Sequence, residues 1–183
     1  LYHPAYRALK NAGKALGPVQ AIHGAQGDWG PFRRDSSILW DRGSHDVAMC
    51  LDLSGLMPES VSARIEEFRH TEDGPGESIS AYLTFPGDVQ ANLKFSNLLK
   101  GKKRSFTVQY EKGTLIYDDA SKTALSHQLK SGEMKAIDVV NILPLDQVLI
   151  DFAAAIKKAK PDLDGLRLGA QVVRVLSAVQ ESL

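Results

Sequence analysis

Along the 183-residue chain the spacing of apolar residues changes from segment to segment, and that spacing separates helix from strand. Ala5, Tyr6, Ala8 and Leu9 follow Pro4 at helical intervals, with the proline at a first-turn position where its missing N–H costs nothing. Gly13 and Gly17-Pro18 interrupt that pattern, and Val19 to His23 alternates apolar with polar as a strand does. From Gly24 to Ser37 the chain holds three glycines, Trp29, Pro31 and the run Phe32-Arg33-Arg34-Asp35. Neither period is present there, which predicts a long irregular loop. Val47, Cys50 and Leu51 then form a helical stripe, predicting a helix from about Ser44 that stops at Gly55 and Pro58.

The middle of the chain alternates with a period of two. Ile79, Ala81, Leu83 and Phe85 interleave with Ser78, Ser80, Tyr82 and Thr84, and beyond Pro86-Gly87-Asp88 the residues Val89, Ala91, Leu93 and Phe95 interleave with Gln90, Asn92 and Lys94. This is a hairpin pattern. Val61, Ala63 and Ile65 suit a strand upstream; Phe106, Val108 and Tyr110, a turn at Lys112-Gly113, and Leu115 to Tyr117 suit a second hairpin. Helical spacing returns with Leu145, Val148, Leu149, Phe152, Ala153 and Ile156, and, after Pro161 and Gly165, with Leu168, Val172, Leu176 and Val179.

These elements predict one α+β domain, an open, predominantly antiparallel β-sheet with helices packed on one face. The last two helices are expected to cover that face. The opposite face carries Ser, Thr, Tyr, Asn and Gln rather than charges, so it suits either solvent or a subunit interface.

Composition narrows the function classes. Lys plus Arg and Asp plus Glu each number 22, so no bulk attraction to phosphate backbones or anionic membranes is expected, and nucleic acid and membrane are set aside as partners. No apolar run approaches the roughly 20 residues that span a bilayer. The one cysteine, Cys50, excludes an internal disulfide and fits a reducing compartment, with the cytoplasm as the expected location. Cys50 also sits on the apolar stripe of its helix, where a packed thiol is expected rather than a nucleophile. The chain opens at Leu1, not Met, inside a helical pattern, and is expected to be part of a longer protein.

The densest group of chemically useful residues is Trp40-Asp41-Arg42-Gly43-Ser44-His45-Asp46. A carboxylate four residues before an imidazole can share one side of a helix with it, and Gly43 would admit a close neighbour, with Ser44 as N-cap. Histidine titrates near neutral pH and suits removal of a hydroxyl proton as a hydride leaves, so His45 is the candidate base. Asp41 either orients the imidazole or takes a hydrogen bond from a substrate hydroxyl; the spacing permits both. Arg33 and Arg34 are candidates for a substrate carboxylate or phosphate, with Trp40 and Arg42 as further substrate-facing residues. A metal set of Asp41, His45, Asp46 and His23 matches no recognised ligand spacing, and no metal is expected. The glycines at 24, 27 and 30 do not form the dinucleotide fingerprint G-x-G-x-x-G.

The stretch Ile38 to Leu51, with Asp41-Arg42-Gly43-Ser44-His45 at its centre, resembles the D-x-G-x-H segment of the Gfo/Idh/MocA oxidoreductases. Tyr2 to Arg7 with Gly17-Pro18-Val19, the loop Trp29 to Asp35, the hairpin Leu83 to Ala91, the strand pair Val108 to Asp118 and the closing segments Leu143 to Phe152 and Gly169 to Ser177 are similar to the family's elements in the same order. The resemblance implies the C-terminal substrate-binding and oligomerisation domain of a two-domain NAD(P)-dependent oxidoreductase, spanning residues 1–183. It also implies hydride transfer between NAD or NADP and a sugar or cyclitol hydroxyl, with His45 as proton acceptor and Asp41 assisting.

The same resemblance implies that the N-terminal Rossmann domain and its Glu-Lys-Pro lysine are absent from this chain, so the chain alone is expected neither to hold cofactor tightly nor to turn over. A homo-oligomer through the open sheet face is the implied assembly. Arg42 departs from the family pattern and points to an anionic substrate. The alternative from another class is a non-catalytic binding or assembly module built on the same fold.

Overall fold

A computed structural model describes residues 1–158 and 163–183. In chain order the elements are α1 (Pro4–Gly13), β1 (Val19–Trp29), α2 (Ile38–Ser54), β2 (Ser60–His70), β3 (Pro75–Phe85), β4 (Val89–Ser96), β5 (Leu98–Tyr110), β6 (Gly113–Asp118), β7 (Leu125–Leu129), β8 (Met134–Ala136), α3 (Pro144–Lys158) and α4 (Leu163–Glu181). The strands form one sheet in the order β2-β3-β4-β1-β5-β6-β7-β8. β1 runs parallel to β4, and the other described pairs are antiparallel.

The period-two pattern explains which side is buried. In the β3–β4 hairpin Ile79 faces Phe95, Ala81 faces Leu93, Leu83 faces Ala91 and Phe85 faces Val89. All but Val89 are buried. The intervening pairs, Ser80 with Lys94, Tyr82 with Asn92 and Thr84 with Gln90, lie on the other surface. Tyr6 and Leu9 of α1, Leu39, Val47 and Cys50 of α2, and Val175, Leu176 and Val179 of α4 complete the core over the apolar surface. Each large side chain buried there contributes about 1.5–3 kcal/mol. The Tyr6 hydroxyl fastens α1 to α2, donating to Asp52 Oδ2 at 2.6 Å.

Three expectations need correction. The segment from Gly24 to Ser37 is not wholly a loop, because β1 continues to Trp29 as the central strand between β4 and β5. Its glycines hid the alternation, yet they are what the packing requires. A Cβ on Gly24 would lie 2.6 Å from Asp46 Oδ2, and one on Gly27 would lie 2.3 Å from the Ser96 carbonyl oxygen of β4. Gly27→Ala must therefore push β1 away from β4, and a loss of about 1–3 kcal/mol is expected in urea unfolding. Gly101→Ala, where a Cβ meets nothing within 4 Å, is the control expected to lose much less.

The second correction concerns α2, which starts at Ile38 with Ser37 as N-cap, so Ser44 lies inside the helix. The third concerns α3. Only α4 of the last two helices joins the core; on α3, Leu145, Leu149, Phe152 and Ile156 are all more than half exposed, and its Asp151 pairs with Arg7 of α1. The helical break expected at Pro161 lies outside the described residues. No described helix is long and apolar enough to cross a membrane.

Candidate functional site

The site is built on the first two turns of α2. Ser37 makes no side-chain cap bond; instead the Ile38 N–H donates to Glu77 Oε2 of β3 at 2.8 Å, placing a carboxylate at the positive end of the helix. That capping fixes where the helix begins and hence which way Asp41 and His45, one turn apart, project. Gly43 admits a close neighbour, as its position suggested, and that neighbour is protein. A Cβ there would crowd Leu39, Leu176 and Phe95 at 3.1–3.3 Å, so this glycine admits α4 and β4, not a ligand.

Asp41 and His45 open on one cleft of about 210 Å³, whose other walls are Gln26, Arg42 and Arg104. Gln26 of β1 and Arg104 of β5 are direct cross-strand partners. Asp41 is held by two guanidinium groups, Arg33 Nε at 3.4 Å and Arg42 Nε at 3.7 Å, and Arg42 also donates to Asp28 Oδ1 at 2.6 Å. No hydrogen bond joins Asp41 to His45 among the described residues, so the carboxylate acts on the ring through its charge. His45 is exposed as a residue, but the cleft walls remove enough water from its ring to lower its pKa. The Arg104 guanidinium lowers it further, while Asp41 pulls it up. The result favours a neutral imidazole at neutral pH.

Beneath the cleft lies a carboxyl that the sequence reading had considered only as a metal ligand. Asp46 is 1% exposed and accepts a hydrogen bond from Gln26 Nε2 on one oxygen, while its other oxygen, Oδ2, has no partner. Burial pushes its pKa up to about 7 against the opposing effects of the Gln26 hydrogen bond and the Arg104 charge. A small adjoining cavity of about 40 Å³ is lined by His45, Asp46, Arg104 and Tyr117 among others. The Tyr117 hydroxyl is also buried without a partner, and burial raises its pKa to about 12.

The other candidates disperse. Arg33 reaches the site only through Asp41, Arg34 donates to the Glu72 carbonyl at the β2–β3 turn, and Trp40 Nε1 donates to Gln180 of α4, away from the cleft. Cys50 is fully buried and its thiol pKa is pushed up by that burial. His23 alternates with Gly24 on β1 and is exposed on the opposite sheet face, so it does not meet Asp41, His45 and Asp46. A roomier cavity of about 600 Å³, walled by His3, Asp119 and the segment 136–144, shares no residue with the Asp41–His45 cleft.

The sequence family described as GFO/IDH/MocA C-terminal domain matches residues 6–116, more than half of the chain. The chain belongs to that family. Its fold is shared by a protein assigned as an oxidoreductase from Magnetospirillum magnetotacticum MS-1, 33% identical with a TM-score of 0.88, over 97% of this chain and 60% of that one. UDP-N-acetylglucosamine 3-dehydrogenase GnnA from Acidithiobacillus ferrooxidans has the same fold at 23% identity and a TM-score of 0.82, over 99% of this chain and 58% of that one. So does biliverdin reductase from Synechocystis sp. PCC 6803, solved with biliverdin and NADP+, at 14% identity and a TM-score of 0.80, over 98% and 60% of the respective chains. This Gfo/Idh/MocA domain thus spans about 60% of the length of the solved structures it matches. No curated protein matches it.

Proposed function

We propose that this chain is the substrate-binding half of an NAD(P)-dependent oxidoreductase that moves a hydride between nicotinamide and a hydroxyl of a sugar or cyclitol. The observation that carries this reading is the joint opening of Asp41 and His45 on one cleft, with His45 biased toward the neutral imidazole that a proton acceptor needs. In the oxidation direction His45 takes the hydroxyl proton, and Asp41 supplies the negative charge that steadies the imidazolium so formed. Sugar-directed members of the fold, such as UDP-N-acetylglucosamine 3-dehydrogenase, support the substrate class.

The residues of this chain do not fit the dinucleotide itself. Gly24, Gly27 and Gly30 lie in or just after β1 and meet side chains or backbone, and the α2 N-terminus is closed by Glu77 instead of open to a phosphate. The cofactor is therefore assigned to a Rossmann half outside this chain, and the exposed apolar face of α3 is a surface suited to such a neighbour. The open sheet face with Ser80, Tyr82, Asn92 and Thr84 suits a homo-oligomer, and the location proposed is cytoplasmic.

The test is an assay of the full-length protein that contains this chain, with NAD and NADP, against a panel of sugars and inositols. Reduction of one cofactor with at least one panel member is expected, together with no micromolar binding of either cofactor to the 183-residue chain by calorimetry. A full-length protein that neither binds NAD(P) nor oxidises any member would favour the assembly module. Micromolar cofactor binding to the chain alone would overturn the assignment of the cofactor to another half.

A further inference from the structure

Resting on the proposed substrate cleft, we infer that it is built for a ring substrate bearing an anionic group, a carboxylate or a phosphate, and that Arg104 is the residue that receives it. From sequence that role fell to Arg33, Arg34 and Arg42. The structure redistributes the charges. Arg42 is committed to Asp28 at 2.6 Å and leans on Asp41 at 3.7 Å, and Arg33 is also directed to Asp41. Arg104 has one ion-pair partner within 4 Å, Asp119 at 3.9 Å, and that carboxylate is held more closely by Lys102 at 3.1 Å and by His3 at 3.6 Å, while the buried Asp46 carboxyl shares a cavity with Arg104 and is bonded to Gln26. Among these ion pairs Arg33, Arg42, Lys102 and Arg104 face Asp28, Asp41 and Asp119, and Arg104 makes the longest contact.

Geometry puts that cation in the proposed substrate cleft. Arg104 walls the same cleft as His45 and stands directly across from Gln26 in the β1–β5 register. None of its guanidinium N–H groups donates a hydrogen bond within the described residues, which leaves a planar fork free for a bidentate anion. Gln26 is fixed from below by its bond to Asp46, and its carbonyl oxygen accepts no hydrogen bond among the described residues, leaving an acceptor for a substrate hydroxyl beside the anion site. A neutral sugar would leave Arg104 uncompensated, whereas an acidic one would pair with it and set the ring hydroxyl near His45.

A cofactor pyrophosphate carries the same anionic chemistry, so the test separates the two sources. Calorimetry on the full-length protein compares D-glucuronate and D-glucose 1-phosphate with D-glucose, and NADH and NADPH are titrated in parallel. The acidic sugars are expected to bind about 10- to 100-fold more tightly than glucose, with an advantage that shrinks as salt rises. Arg104→Gln should abolish the advantage, leave glucose within about threefold and leave cofactor affinity unchanged, while Arg104→Lys should restore part of it.

An Arg104→Gln effect confined to cofactor affinity, or equal losses for acidic and neutral sugars, overturns the inference. Because binding is read without turnover, an acid preference lost in Arg104→Gln sustains the inference even if no dehydrogenase activity exists. Vigorous turnover of neutral sugars with no Arg104 effect sinks it and leaves the proposed function standing.

Discussion

Asp46→Asn is expected to stabilise the protein at neutral pH and to leave it almost unchanged near pH 4. The carboxyl is sealed at 1% exposure with one oxygen unpartnered, and burial raises its pKa from 3.8 to about 7. A folded pKa above the unfolded one means that the folded state holds a proton the unfolded state has released. The stability this proton lends is fully present below pH 3.8 and is lost as pH rises through about 7. At 1.36 kcal/mol per pH unit, the loss is on the order of 4 kcal/mol. Asparagine keeps an oxygen to accept from Gln26 and does not ionise, so it escapes that loss.

The pH curve of the parent alone will not display this effect cleanly. His3 and His45 have lowered pKa values, mainly through burial, and so remove stability as pH falls through 6.5, in the opposite direction. The difference between variant and parent isolates Asp46. Urea midpoints taken from pH 4 to pH 8 should diverge across pH 4–7 and run parallel above it. Curves parallel throughout would mean that the carboxyl ionises in the folded protein as it does in water, and the description of a sealed floor beneath the cleft would fail.

The same floor explains what the sequence could and could not reveal. The β3–β4 hairpin was legible because Ile79 to Phe85 and Val89 to Phe95 alternate without interruption, each apolar residue having one buried side to occupy. β1 was not, since beyond His23 its inward positions are Gly24 and Gln26, residues that make room for Asp46 and bind it instead of adding apolar bulk. A strand whose core-facing positions serve a polar site loses the signature by which strands are found. The start of α2 was misplaced for a related reason: its cap comes from Glu77, 39 residues away in sequence, and no local pattern announces a cap of that kind.

Asp41 and His45 could be named from their spacing and from the resemblance of their segment to the Gfo/Idh/MocA motif. Arg104 could have been found by extending the alternation of Phe106 and Val108 back by two residues, which places it on the helix-covered face. Gln26 could not, because its pairing with Arg104 depends on a strand register that only the fold provides. α3 illustrates the converse. Its apolar stripe was read correctly as a stripe, but a stripe does not say what covers it, and within the described residues Leu145, Leu149, Phe152 and Ile156 stay exposed.

His45→Ala in the full-length protein should lower kcat/KM for the preferred substrate by about 10²- to 10⁴-fold, the usual contribution of a positioned general base. Substrate affinity should change little, since the cleft keeps Gln26, Arg42 and Arg104. The pH profile carries the sharper information. For oxidation the imidazole must be neutral, so activity falls as pH drops through the His45 pKa; with that pKa lowered, the acid limb of kcat/KM should lie below 6.5. Asp41→Asn removes the charge that raises the pKa and should move the limb further down, while Arg104→Gln removes one that lowers it and should move the limb up. A structural histidine would give no such opposed pair of shifts. Unaltered kcat/KM in His45→Ala, or a limb indifferent to both neighbouring charges, would assign the proton to another group and leave the cleft as a binding surface only.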